Sequence, residues 1–133
     1  MSFLLKIVTP KGKYFEGEVD SLTIKLTAGY RTFLSHHAPL IGALAYAPMH
    51  YVKDGQTHYF AIHGGAISVK DNSISVIVNG IENKKDIDVN RAKEAKKRAE
   101  ERLKNKNDIN IDVKRAELAL ARAISRIKTC EGD

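Results

Sequence analysis

Apolar and polar positions alternate along the first part of the chain. Phe3, Leu5 and Ile7 fall on one side of an extended segment, and Leu4, Lys6 and Val8 on the other, the two-residue period of a β-strand. Thr9-Pro10-Lys11-Gly12 reads as a turn, and residues 14–19 and 21–26 read as the next strands. Asp54-Gly55 separates residues 49–53 from 56–62, a hairpin signature, because a two-residue primed turn needs positive φ at both central positions. Asp71-Asn72 stands in the same way between residues 65–70 and 73–79. Roughly eight to ten short strands at this spacing predict a β-sandwich or flattened barrel. The pair Gly64-Gly65 marks either a bulge or a close backbone approach.

Near residue 85 the period becomes helical. Asp88 is placed to cap a helix over residues 89–104, with Ala92, Ala95, Ala99 and Leu103 on one face. Asn105-Lys106-Asn107-Asp108 is a polar break. A second helix is expected over residues 112–128, with Val113, Ala116, Leu120, Ala123 and Ile127 spaced as a heptad seam. So short a link makes the two helices antiparallel neighbours. The expected architecture is therefore α+β: a β-sandwich over residues 1–84 and a helical hairpin over 85–133. A buried alanine contributes far less than the ~1.5–3 kcal/mol of a buried Leu or Ile. An alanine seam thus predicts a weakly held hairpin that can detach; a permanently docked hairpin is the alternative.

Composition narrows the function. With 133 residues, 43% of them hydrophobic and 29% charged, the chain is long enough for a small core and is not a disordered polymer. The net charge of +6 is spread over both halves, a mild field that does not by itself demand nucleic acid. Lys93, Lys96, Lys97 and Arg98 are interleaved with Glu94, Glu100 and Glu101, which fits a solvated helix face. Cys130 is the lone cysteine, so no disulfide framework is expected. No stretch approaches the ~20 apolar residues of a membrane helix, so membrane association would come through a partner. The histidines lack zinc-site spacing, and there is neither a phosphate loop nor a nucleophile elbow. No metal or catalytic residue is expected.

The arginines carry the candidate chemistry. Arg91 and Arg98 lie two helical turns apart beside the alanine seam of the first helix. Arg115, Arg122 and Arg126 flank the seam of the second. In an antiparallel hairpin Arg91 comes level with Arg122 and Arg126, gathering positive charge at the open end. Guanidinium forks match phosphate or carboxylate oxygens bidentately, and Glu82 and Asp88 stand nearby to meet other polar groups. The competing reading is a solvated basic face paired with Glu94, Glu101 or Glu117.

Five segments, in order, resemble the epsilon subunit family of F-type ATP synthases: residues 9–17, His37-Ala38-Pro39-Leu40, residues 61–69 with the glycine pair, Ile87-Asp88-Val89-Asn90-Arg91-Ala92, and residues 121–128. The resemblance spans nearly the whole chain. It implies a non-catalytic rotor-stalk subunit at the cytoplasmic face of a bacterial membrane. The sandwich would bind the gamma subunit and the membrane rotor ring. The hairpin, when extended, would reach the alpha/beta catalytic head and inhibit ATP hydrolysis. It further implies regulatory ATP, with or without magnesium, held by Glu82, Ile87, Asp88, Arg91, Ala92, Arg98, Arg122 and Arg126. Arg115, Arg122 and Arg126 would make the inhibitory contact, and Tyr30, Arg31, Phe33 and His37 the ring contact. Residues 28–36 depart from the family pattern: Thr32 replaces a glycine, Ser35 a proline, and Tyr30 or Arg31 occupies an expected acidic position. A small basic nucleic-acid-binding module and a helical adaptor are the alternatives, separable by what co-purifies.

Overall fold

The computed structural model describes residues 1–132. The strands are β1 (Phe3–Thr9), β2 (Gly12–Val19), β3 (Ser21–Leu26), β4 (Gly29–Phe33), β5 (Leu40–Lys53), β6 (Gln56–Lys70), β7 (Ser73–Val78) and β8 (Ile81–Asn83). They form one 8-stranded sheet in the order β2-β1-β7-β6-β5-β3-β4, with β8 also paired to β6. Every pair is antiparallel except β1 with β7. The sheet closes on itself as a β-sandwich, its interior filled by Phe3, Leu5, Ile7, Leu22, Ile24, Phe33, Met49, Ile62, Ile67 and Val76. Phe15 and Tyr51 stack at 4.8 Å, and Tyr51 and Phe60 at 5.5 Å.

The two hairpin signals are met as expected. Asp54 and Gly55 sit at φ 52° and 77°, and Asp71 and Asn72 at 52° and 58°, the left-handed pair that a primed turn requires. The pieces foreseen around them, however, belong to longer strands. β5 and β6 pair from Leu40↔Val69 through to Lys53↔Gln56. Continuity was hidden because the buried positions change parity partway along, from Leu44 to Ala47 on β5 and from Ile62 to Ile67 on β6. A chain with a strict two-residue period looks broken where its inward side switches. Gly64 (φ 75°) and Gly65 (φ 139°) make the switch. A Cβ on Gly65 would lie 2.0 Å from the carbonyl oxygen of Ile77, so the pair marks a close backbone approach.

After a 3-10 turn (Lys84–Asp86) come α1 (Val89–Lys104) and α2 (Val113–Glu131). The Asp88 and Asp112 carboxylates accept from the Arg91 and Arg115 amides at 3.1 and 3.0 Å, each satisfying an orphan donor of the first turn. Ala92 and Ala99 of α1 and Ala116 and Ala123 of α2 are buried in the seam. It is α2 that packs on β5 and β6. It does so through buried Ser125 and Thr129, outside the apolar seam that the heptad pattern revealed. The Ser125 hydroxyl donates to the Ile62 carbonyl at 3.4 Å, and that of Thr129 to the Ser125 carbonyl at 2.7 Å. Ala61, fully buried although its neighbours Phe60 and Ile62 point into the core, lies on the covered outer side. The surface of α2 that meets the sheet thus carries small hydroxylic residues over an alanine.

Candidate functional site

The 3-10 turn delivers the chain from β8 to α1, and α2 returns antiparallel. Residues on either side of the turn therefore meet the last turns of α2. They enclose a cleft of about 370 Å³ lined by Glu82, Asp86, Ile87, Asp88, Arg91, Ala92, Ala95, Arg98 and Arg126. The cleft brings together Glu82, Ile87, Asp88, Arg91, Ala92, Arg98 and Arg126 from the expected set and leaves Arg122 off its lining. Asp86 and Ala95 join it, unforeseen.

The cleft's charges are unevenly committed. Nε of Arg126 donates to Oε1 of Glu82, and Nε2 of His63 lies 3.1 Å from the same oxygen. Burial pushes the Glu82 carboxyl up, but hydrogen bonds from Arg126 and His63 outweigh it and leave the group below its ordinary value. Asp88 holds the Arg91 amide. The guanidinium groups of Arg91 and Arg98 make no ion pair among the described residues. The competing sequence reading, local pairing with Glu94, Glu101 or Glu117, is absent among them too. Two guanidinium groups without an ion pair, beside one shared with a carboxylate, present donors of the kind that match oxyanion oxygens. Its volume lies at the small end of the ~300–1,000 Å³ typical of ligand pockets.

His63 is the residue that sequence reasoning missed. It is 6% exposed, and its Nδ1 is buried without a hydrogen-bond partner among the described residues. Burial pushes its pKa below the ordinary imidazole value, opposed by the hydrogen bond to Glu82 and assisted by the charges of Arg126 and Arg122. The signal available was its place two residues after Ala61, on the same side of β6.

The remaining candidates are dispersed. Arg115 lines a separate cleft with Arg102, Asn110 and Asp112 at the loop end of the hairpin. It lies eleven positions from Arg126 along the helix, about 16 Å, so Arg115, Arg122 and Arg126 form a stripe and not a cluster. Of the four positions expected to face a ring, Arg31 is exposed and Tyr30 is half-exposed, its hydroxyl donating to the Pro48 carbonyl at 3.0 Å. Phe33 is fully buried in the core, so its side chain is no surface contact: it alternates inward on β4. His37 packs edge-on against it at 4.6 Å.

Comparison with known proteins follows this division of the chain. Residues 2–84 match the model for the ATP synthase delta/epsilon chain beta-sandwich domain, and residues 85–131 match that for its long alpha-helix domain. The chain belongs to the ATP synthase delta/epsilon family. An ATP synthase epsilon chain of Halalkalibacterium halodurans is 38% identical over 123 residues, covering 92% of each chain. One of Bacillus cytotoxicus is 40% identical over 126 residues, covering 95% of this chain and 94% of the relative. A chain in the cryo-EM structure of the Euglena gracilis mitochondrial ATP synthase (OSCP/F1/c-ring, rotational state 1) superposes with a TM-score of 0.84 at 18% identity, covering 93% of this chain and 78% of that one. At that identity the likeness speaks for the delta/epsilon fold alone.

Proposed function

We propose that this chain is a non-catalytic central-stalk subunit of a rotary ATP synthase, whose hairpin binds ATP when docked and restrains ATP hydrolysis when released. The observation that carries the nucleotide half is the cleft with Arg91 and Arg98, which make no ion pair among the described residues. These two guanidinium groups would take the phosphate oxygens, with or without magnesium, while Asp88 and backbone groups of the 3-10 turn meet the remaining polar atoms. Because α1, α2 and β8 all contribute walls, ATP would favour the docked posture by its differential affinity for that state. Release would carry Arg115, Arg122 and Arg126 toward acidic surfaces of the alpha/beta catalytic subunits.

The stalk half is supported by an apolar patch on the uncovered side of the sheet. Ile41 (84% exposed) and Ile77 (57%) flank exposed Ala43 and Ala66, which pair across β5, β6 and β7 as Ala43↔Ala66↔Ile77. A contiguous exposed apolar surface of this kind suits a protein partner, here the gamma subunit, with the membrane rotor ring at the end bearing Arg31 and His37. No helix among the described residues is long and apolar enough to cross a membrane; membrane association through the ring would be peripheral. Isothermal titration of the full chain with ATP tests the nucleotide half: saturable heat supports it, and no heat at millimolar ATP removes it. Co-purification of tagged chain with gamma and catalytic subunits tests the stalk half.

A further inference from the structure

We propose that His63 is a positioning residue that holds Glu82 for Arg126 only while its imidazole is neutral, so that acid releases α2 from the sheet. The inference rests on the detachable-hairpin reading above, not on nucleotide binding.

The geometry assigns the proton. Nε2 faces the Glu82 carboxylate at 3.1 Å and is therefore the N–H that donates. Nδ1 is buried with no partner among the described residues. The Tyr46 ring from β5 lies 5.7 Å away by centroid, and Gly80 backs onto the imidazole, since a Cβ there would come within 3.1 Å of His63 Cδ2. The charged or titratable groups that face it are Glu82 from β8, Arg122 and Arg126 from α2, and the Tyr46 phenol from β5. Protonation would create a second N–H with no acceptor, an expensive state for a buried donor, beside two guanidinium charges. Glu82 alone favours the cation, and it is already neutralised by Arg126.

When α2 leaves, both arginines leave with it. His63 then sits in water beside Glu82 and titrates near the ordinary value of about 6.5. The detached state therefore binds the proton and the docked state does not. Docking is fully favourable above about pH 6.5 and weakens as pH falls. The detached-to-docked ratio rises by up to about tenfold between about pH 7.5 and pH 5.5. Glu82 does not contribute in that window, because its carboxyl stays ionised with its pKa held below the ordinary value.

His50 is the necessary control. It pairs with Tyr59 on the same outer side, and burial lowers its pKa as well. The test is NMR of the full chain without nucleotide, reading the detached population from saturation-transfer profiles of the Ala61 and Ser125 amides across about pH 5.5–7.5. Wild type and His50→Gln should show the rise, by several-fold. His63→Gln keeps an N–H donor toward Glu82 but cannot titrate; it should stay docked at high pH and give a flat profile. A pH-sensitive His63→Gln, or a rise abolished by His50→Gln, would overturn the assignment while leaving a detachable hairpin in place. A detached population that is present but pH-insensitive in wild type does the same. No detached state at any pH removes the proposal together with the detachable-hairpin reading. Should His63→Gln misfold, the His63 ring resonances of wild type decide: a docked-state midpoint at or above about 6.5 contradicts the proposal.

Discussion

Glu82→Gln isolates the electrostatic tie between the two parts of the chain. The substitution keeps the size of the side chain and an oxygen that can accept from His63, but removes the charge opposite Arg126. A hydrogen bond to a charged group contributes ~1.5–3 kcal/mol when shielded. Here the two side chains are 31% and 32% exposed, so solvent screening cuts the figure to about 1 kcal/mol. That corresponds to roughly a fivefold rise in the detached fraction, with the sandwich itself intact, because Glu82 points away from the core. The pH dependence has a definite sign. Since the Glu82 carboxyl lies below its ordinary value, its stabilisation is complete above about pH 4.5 and is lost as pH falls further. Wild type and variant should therefore differ at neutral pH and converge in acid. The same amide profiles of Ala61 and Ser125 supply the measurement, repeated at low and high salt. An unchanged detached fraction at neutral pH and low salt would refute the view that this pair fastens α2. So would a large loss of sandwich stability, because it would mean that Glu82 supports the sheet instead.

Other outcomes follow from the geometry. Arg91→Ala and Arg98→Ala should each lower ATP affinity by tenfold or more, about 1.5–3 kcal/mol for a lost charge-assisted contact, with unchanged amide spectra away from the cleft. Ala123→Leu, at a position 0% exposed in the helix seam, should cost about 1–3 kcal/mol of hairpin packing; circular dichroism would show retained helix while ATP heat is lost. Gly65→Ala must place a Cβ against the Ile77 carbonyl at an unfavourable φ, a cost of about 2–6 kcal/mol from strain plus overpacking. Gly55→Ala meets no atom within 4 Å and should cost only about 1–2 kcal/mol. Urea midpoints of the two variants should rank in that order.

Local signals carried most of the architecture. Asp54-Gly55 and Asp71-Asn72 declare their turns because few residue pairs accept positive φ together, and Asp88 declares a helix start because a carboxylate satisfies free amides. What the chain concealed was relational. The inward side of β5 and β6 changes hand at a glycine pair, so alternation read as separate strands. The surface of α2 that meets the sheet carries Ser125 and Thr129, whose burial no hydropathy pattern announces. The arginine-lined cleft was legible in part: arginine spacing and hairpin closure place Arg91, Arg98 and Arg126 together. Arg122 misses the lining although it is only one turn from Arg126. His63 was invisible because its role depends on Glu82, nineteen residues away along the chain and brought alongside by β8. Phe33 illustrates the reverse error, a residue taken for surface because a motif neighbours it.

The connection at Lys84–Asp86 makes α1 the first to leave the sheet along the chain and α2 the one that clings to it. On the proposed release, the pair would become a jointed arm pivoting on that short turn. Its 16- and 19-residue helices measure about 24 and 28 Å. Folded double, the arm sweeps a radius of one helix; straightened at the Asn105–Asp112 elbow, it doubles that distance. The few contacts near the shoulder would thus govern where a fingertip some 50 Å away could touch.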